Sequence, residues 1–332
     1  MRRWLLNDRP IGRPVRDEDF KLVELPIPQP RDGEVLLKNH YIGLNPAQKG
    51  WMENVADYSA PMALGDPMRG YIVGEVIETR NLQYKLGDML AGYGHWEEYS
   101  TTDGDGLELS PEGVPASAML SVLGINGMAA FGGLFKVGKP VLGDTVVVSG
   151  AAGATGSIVC QLAKVAGCRV IGIAGGTRKC QWLIEEVGCD AAIDYKAEDV
   201  RRRLKALCPH GVDVIFDNVG GAILNEMLAV IADRARIVIC GGIARYEAAD
   251  LPPGPQRYFN LVFRRATMEG FIVWDWKAEY PEMRRRLIDL LQSGRIKYLD
   301  DVQYGIENTP AAFKRLFDGS NFGKQLVKLQ HG

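Results

Sequence analysis

The sequence has no excess of positive charge. Its 39 lysines and arginines face 41 aspartates and glutamates, for a formal net charge of −2. Nothing in that balance attracts nucleic acid or an anionic membrane, and neither is expected as a partner. No apolar run approaches the roughly 18 residues that a membrane helix needs. The opening Met1-Arg2-Arg3-Trp4-Leu5-Leu6 has basic residues with no long apolar stretch behind them. No secretory signal is therefore expected, and a cytoplasmic address follows. Histidine is scarce: the four are His40, His95, His210 and His331, with no H-x-x-x-H pattern. The six cysteines (Cys160, Cys168, Cys180, Cys189, Cys208 and Cys240) form no C-x-x-C pair. No ligand set for structural or catalytic zinc is visible, and no metal is expected. The thiols read as reduced and buried, acting as small hydrophobes.

What is present is ordinary globular usage, 46% hydrophobic and 24% charged over 332 residues, enough for two domains. Residues 20–105 are β-rich. Val35–Tyr41 and Tyr71–Ile77 look like strands, punctuated by Pro26 to Pro30, Asp32-Gly33 and Leu86-Gly87-Asp88, which suggests a compact barrel-like unit. After about residue 120 strand-like runs alternate with helical spacing. The strand candidates are Thr145–Gly150, Arg169–Ala174, Ala191–Tyr195, Asp213–Asn218, Arg236–Gly241 and Met268–Val273. Six strands with helical crossovers predict an α/β fold with a doubly wound parallel sheet, buried on both faces. A helix at 310–317 and a strand at 325–329 are expected to rejoin the first domain.

One glycine-rich turn carries chemistry. The apolar strand Val146-Val147-Val148-Ser149 runs into Gly150-Ala151-Ala152-Gly153-Ala154-Thr155-Gly156 and then a helical pattern. Small residues let the backbone approach a pyrophosphate, and the helix N-terminus offers free N–H groups and positive potential. The spacing is G-x-x-G-x-x-G, and the strand–helix context gives it its weight. The second strand ends Ile173-Ala174-Gly175-Gly176-Thr177-Arg178-Lys179, with no carboxylate before Glu185. An NAD site usually places Asp or Glu there for the ribose 2′-hydroxyl. Two cations after a roomy Gly-Gly instead favour the dianionic 2′-phosphate of NADP(H).

With these residues, the chain resembles the medium-chain dehydrogenase/reductase superfamily. Within it, the chain is similar to the zinc-free double-bond reductases: prostaglandin reductases, plant double-bond reductases and curcumin-reductase-like enzymes. The likeness spans almost the whole sequence. It is carried by Met68-Arg69-Gly70-Tyr71, Trp96-Glu97-Glu98-Tyr99, Ala152–Gly156, Gln161-Leu162-Ala163-Lys164, Ala174-Gly175-Gly176, Phe216-Asp217-Asn218-Val219-Gly220-Gly221, Cys240-Gly241-Gly242-Ile243, Glu269-Gly270-Phe271 and Asn321-Phe322-Gly323-Lys324.

The resemblance implies a GroES-like β-rich domain from 1–122 and 299–332. It implies a six-stranded Rossmann domain from 123–298, with NADPH between the two. Gly150, Gly153, Ala154, Thr155, Gly156 and Gly176 would meet the phosphates and Lys179 the 2′-phosphate. Tyr195 would lie at the adenosine end. Asn218 and the turn Cys240, Gly241, Gly242, Ile243 to Tyr246 would lie along the dinucleotide. Phe271, Ile272 and Val273 would line the nicotinamide side, and Asn321 would reach the cofactor. Core packing is the plain alternative for Tyr195 and Phe271, and turn capping for Asn218 and Asn321.

Three places depart from the family pattern. Where many members read Asp-Pro-Tyr-Met-Arg, this chain has Asn45-Pro46-Ala47-Gln48-Lys49. Where members read Met-Pro-Gly-Leu-Thr-Ala, it has Ile125-Asn126-Gly127-Met128-Ala129-Ala130. Phe263 stands where relatives place an active-site Tyr.

The expected reaction is NADPH-dependent reduction of the C=C bond of α,β-unsaturated aldehydes or ketones by a homodimer. Tyr258 and Asn45 are the candidate catalytic donors; a core tyrosine and a turn cap are their alternatives. A quinone oxidoreductase and a trans-acting enoyl reductase remain open. So does a nucleotide-binding protein without turnover. The loops at 50–64 and 244–257 are expected to shape the substrate pocket.

Overall fold

The computed structural model describes residues 1–53, 59–246, 248 and 253–330. The chain divides into two compact units. One comprises Met1–Gly124, Tyr246–Ala249 and Asp300–Gly332, the other Ile125–Arg245 and Asp250–Leu299. Residues 54–58, 247 and 249–252 of the two expected pocket loops lie outside the described residues.

The first unit opens with β1 (Arg2–Leu6) antiparallel to β2 (Phe20–Glu24). There follow β3 (Val35–Gly43), the short helix α1 (Ala47–Met52), β4 (Arg69–Thr79), β5 (Met89–His95), β6 (Tyr99–Thr102) and β7 (Leu107–Leu109). β3 and β4 are mostly buried, with partly exposed positions among the buried ones, and pair antiparallel.

The second unit runs α2 (Ile125–Gly132), β8 (Thr145–Ser149), α3 (Ala154–Val165), β9 (Arg169–Ala174), α4 (Thr177–Glu185), β10 (Ala191–Asp194), α5 (Val200–Leu207), β11 (Val212–Asp217), α6 (Gly221–Leu228), β12 (Ile231–Ile239), α7 (Asn260–Arg264), β13 (Thr267–Gly270) and α8 (Tyr280–Gln292). All five strand pairings are parallel, in the order β10-β9-β8-β11-β12-β13. This is the 3-2-1-4-5-6 order of dinucleotide-binding sheets. Its central strands carry near-continuous apolar runs: Val146, Val147 and Val148 on β8 and Val214, Ile215 and Phe216 on β11 are all fully buried. β-Branched residues and burial on both faces are what a parallel sheet between two helix layers requires.

The chain then returns to the first unit as β14 (Asp300–Tyr304), α9 (Thr309–Asp318) and β15 (Lys324–Lys328). β15 pairs parallel with β14 and antiparallel with β3, giving the sheet order β14-β15-β3-β4-β5-β7, with β6 also paired to β3. Trp96, Phe20 and Phe313 meet in this core, Phe20 stacked on Trp96 at 5.4 Å and Phe313 edge-on to it at 5.4 Å.

Five strand ends of the parallel sheet fall short of expectation: β8 stops at Ser149 and β11 at Asp217, each one residue early, and the other three have a visible cause. β12 ends at Ile239, because the Cys240 and Gly241 N–H groups both donate to the Asp217 carbonyl, at 2.9 and 3.2 Å, which turns the chain off the sheet. β13 stops at Gly270 rather than Val273, because Phe271 leaves the sheet to stack on Trp276 at 4.9 Å. β10 stops at Asp194, where the carboxylate closes a turn.

Candidate functional site

Each of the six parallel strands is followed at once by a residue singled out in the sequence. β8 leads to Gly150, β9 to Gly175-Gly176, β10 to Tyr195, β11 to Asn218, β12 to Cys240 and β13 to Phe271. In a parallel sheet these positions share one edge. β8 is flanked by β9 and β11, so the strand order reverses beside β8, and the crevice outside such a reversal is where open α/β sheets bind ligands.

At that reversal the loop is tight. The Gly153 N–H donates to the Gly150 carbonyl at 3.0 Å, and Gly153 opens α3 with no side chain capping it. The first-turn N–H groups of Ala154, Thr155 and Gly156 therefore keep the positive potential of the helix end. Gly156 is required by space: a Cβ there would stand 2.3 Å from the Gly150 carbonyl oxygen. Asn126 of α2 donates from Nδ2 to the Thr155 hydroxyl at 3.1 Å. The unusual residue of that stretch thus anchors the first turn of α3.

Beside it, the Asn218 N–H donates to the Ser149 hydroxyl at 2.9 Å, and its Nδ2 to the Ser149 carbonyl at 2.7 Å. Asp217, fully buried, accepts from the Ser149 hydroxyl and from the Val219 and Gly220 N–H groups. Burial raises the Asp217 carboxyl above its ordinary range despite these donors. The Ile243 and Ala244 N–H groups donate to the Asn218 and Val219 carbonyls, which ties the turn after β12 to the turn after β11. Asn218 thus holds the junction of β8 and β11, a structural role of the kind its capping alternative describes. Burial, with the Asp217 carboxylate nearby, pushes the Cys240 thiol up to about 12. It offers no thiolate at neutral pH.

At the end of β9 the chain turns on Gly176, with φ +94°, a value that favours glycine. The Lys179 N–H returns to the Gly176 carbonyl at 3.1 Å. A Cβ on Gly175 would meet the Tyr195 ring at 2.9 Å and Cε of Lys196 at 2.9 Å, so both side chains lie across the turn. Tyr195 is 43% exposed, and its neighbourhood is the Gly-Gly turn rather than the core. Two further groups act here that local sequence does not reveal. Lys196 adds a third cation to Arg178 and Lys179. The Asp194 carboxylate accepts from the Gly176 N–H at 2.8 Å and from the Lys196 N–H at 3.0 Å. Both come from the third strand, whose register against the second is fixed only in the folded sheet.

The remaining candidates divide between the units. Phe271 packs on the face of Gly133 and on Trp276. Ile272 is exposed and Val273 half-buried. Tyr258 is 60% exposed, in an apolar surface segment with Phe259 and Phe263. In the first unit Tyr246 lies edge-on to Phe317 at 6.3 Å, and Asn321 bonds within its own turn, to the Gly323 carbonyl at 3.3 Å. Asn45 is buried. Its Oδ1 accepts from the Lys324 ammonium at 2.8 Å, and α1 follows the N-cap residue Pro46 with no side-chain cap. Among the described residues, no group of three or more His, Cys, Asp or Glu side chains is placed to hold a metal ion.

Two family models match: the N-terminal domain of oxidoreductase over residues 2–109, and zinc-binding dehydrogenase over residues 154–291. YfmJ of Bacillus subtilis (strain 168) is 42% identical, covering 97% of this chain and 95% of its own. The NADPH-dependent curcumin reductase of Escherichia coli (strain K12) is 37% identical, over 99% of this chain and 96% of its own. The crystal structure of CurA from Vibrio vulnificus in complex with NADPH matches with a TM-score of 0.94 at 37% identity, covering 100% of both chains. The chain belongs to the zinc-free double-bond reductases of the medium-chain dehydrogenase/reductase superfamily. Its two units are the GroES-like and Rossmann folds of that superfamily.

Proposed function

We propose that this protein binds NADPH along the C-terminal edge of its parallel sheet and reduces the C=C bond of small α,β-unsaturated aldehydes and ketones. The observation that carries the reading is the line of six strand ends, with an uncapped helix at the strand reversal and three cations around Gly175-Gly176.

The residues fit the cofactor. The uncapped first turn of α3 suits a pyrophosphate. Around the ribose end stand Arg178, Lys179 and Lys196; of the two carboxylates there, Asp194 already accepts two backbone N–H groups, and Glu198 accepts the Asp194 N–H and pairs with Arg203. A dianionic 2′-phosphate is accommodated there, and the second strand offers no carboxylate to repel it. Bound NADPH supplies the hydride, and the protein supplies orientation and electrostatics. Gly150, Gly153, Ala154, Thr155 and Gly156 hold the phosphates. Lys179, Tyr195 and Gly176 take the adenosine end, and Asn218, Cys240, Gly241, Gly242, Ile243, Tyr246, Phe271, Ile272, Val273 and Asn321 take the rest. Asn45 is assigned as the hydrogen-bond donor to the substrate carbonyl oxygen, where negative charge gathers as the β-carbon accepts hydride. Tyr258 is kept as a second donor. Its exposure makes it the weaker of the two, because a water-screened hydroxyl stabilises charge less.

The chain is read as a homodimer in the cytoplasm. β13 ends the parallel sheet, and Phe259, Val262 and Phe263 beside it are 52%, 62% and 65% exposed, a surface suited to a second copy. Six free thiols suit a reducing compartment.

The test is NADPH oxidation with a panel of enals, enones and quinones. Turnover led by the enals and enones is expected. Turnover of quinones alone would replace the reading with a quinone reductase. NADPH binding without turnover on any acceptor would leave a nucleotide-binding protein.

A further inference from the structure

Lys324 is an uncommon group: a lysine 1% exposed, inside the β-rich unit rather than on its surface. Burying an ammonium is unfavourable unless its hydrogen bonds are met. Here the Nζ donates to the Leu44 carbonyl at 3.0 Å and to Oδ1 of Asn45 at 2.8 Å. The backbone fixes both partners. Lys324 opens β15, and the Leu44 N–H donates to the Gln325 carbonyl at 3.1 Å, which locks the turn after β3 against the strand. The turn itself is held by Gln48, whose Oε1 accepts from the Asn45 N–H at 3.0 Å and whose Nε2 donates to the Gly43 and Arg69 carbonyls. Neither end of the Lys324–Asn45 contact can drift without disturbing the sheet.

An asparagine side chain has an accepting edge and a donating edge. An ammonium only donates, so it selects the accepting edge and turns Nδ2 the other way. We infer that Lys324 is the positioning residue that fixes the Asn45 carboxamide with its donating edge toward the substrate carbonyl. This rests on the assignment of Asn45 as that donor.

The charge environment adds a pH dependence. Asp300 of β14 lies opposite Lys324 in register, and its carboxyl is hydrogen-bonded to Ser117 and Ser121. The turn after β3 presents the neutral Leu44 carbonyl and Asn45 carboxamide. On the alternate face of β15, Arg315 of α9 bonds Gln325 and Asp301. Asp300 is the acidic group that faces the ammonium, and burial raises its own carboxyl. Desolvation outweighs that carboxylate and brings Lys324 down to about 7. Above that pH the amine is neutral and its bond to Oδ1 loses the charge assistance, which roughly doubles the strength of such bonds.

The experiment compares wild type, Lys324→Met and Asn45→Asp. The first readout is kcat/KM for a small enal against pH, at saturating NADPH. The second is the ¹³Cε titration of lysine in the protein without substrate. Wild type should lose activity as pH rises through about 7. Lys324→Met should remove that step and lower kcat about 10- to 100-fold at pH 6, below the loss expected for deleting a donor outright. NADPH affinity should stay within about twofold, because positioning leaves the cofactor's own contacts intact. Asn45→Asp places a carboxylate against the ammonium and should raise the Lys324 midpoint by about 1–3 units. A Lys324→Met enzyme that keeps wild-type kcat and the same pH step would overturn the inference. So would an Asn45→Asp midpoint that does not move, which decides the matter even if Lys324→Met fails to fold. If no acceptor is turned over, the functional reading fails separately, and the Lys324 titration alone judges the contact.

Discussion

Lys179→Ala is the sharpest test of the cofactor end. The backbone around Lys179 is set by the Gly176 turn and by its own N–H bond to the Gly176 carbonyl at 3.1 Å, neither of which needs the side chain. Alanine is also a better helix former in the first turn of α4. The substitution therefore removes a charge and leaves the turn. A charge-assisted hydrogen bond contributes about 1.5–3 kcal/mol. At about 1.4 kcal/mol per tenfold, the NADPH dissociation constant should rise roughly 10- to 100-fold. Lys196 moderates the loss, because its stem lies across Gly175 in the same turn. The single variant should fall at the low end and Lys179→Ala/Lys196→Ala at the high end. NADH lacks the 2′-phosphate, and its affinity should change by less than about twofold. The assay is a fluorescence titration of each protein with each nucleotide, at fixed ionic strength because exposed charges are screened. Equal weakening for NADPH and NADH would refute the assignment and make Lys179 a support of the fold.

Gly156→Ala should displace the phosphate turn, because its Cβ would stand 2.3 Å from the Gly150 carbonyl oxygen. Calorimetry should show a loss of about 1–3 kcal/mol, with NADPH binding weakened in parallel. Asp217→Asn replaces one accepting oxygen with a donor facing the Val219 or Gly220 N–H, and should destabilise by about 1–3 kcal/mol in urea unfolding. Lys324 is lowered to about 7 in the folded protein, below its unfolded value, so the unfolded chain binds the extra proton from there up to the ordinary lysine range. Stability should therefore rise with pH across that window, by at most about 1.4 kcal/mol per unit, and Lys324→Met should flatten the rise in unfolding free energy measured from pH 7.5 to 9.5.

The parallel sheet was legible because its strands are short, apolar and separated by helical spacing, a pattern imposed by burial on both faces. The glycine turn was legible for a similar reason, since Gly150, Gly153 and Gly156 answer to local space and conformation. Strand ends were less so. Whether Cys240 stays in the sheet depends on the Asp217 carbonyl one strand away, and whether Phe271 does depends on Trp276. The groups that tune the site were the least legible. Asp194 and Lys196 act on a turn some twenty residues earlier, and Lys324 reaches Asn45 across 279 positions. Nothing in local composition distinguishes Lys324 from a surface lysine. Its meaning appears only when β15 is laid against β3.

Reduction here delivers hydride to the β-carbon of a conjugated alkene. The direct measurement is incubation of the protein with a small enal and NADPH deuterated at the transferring C4 position, followed by NMR of the product. A saturated aldehyde carrying deuterium on its β-carbon is expected. Deuterium on the carbonyl carbon, in an allylic alcohol, would contradict it.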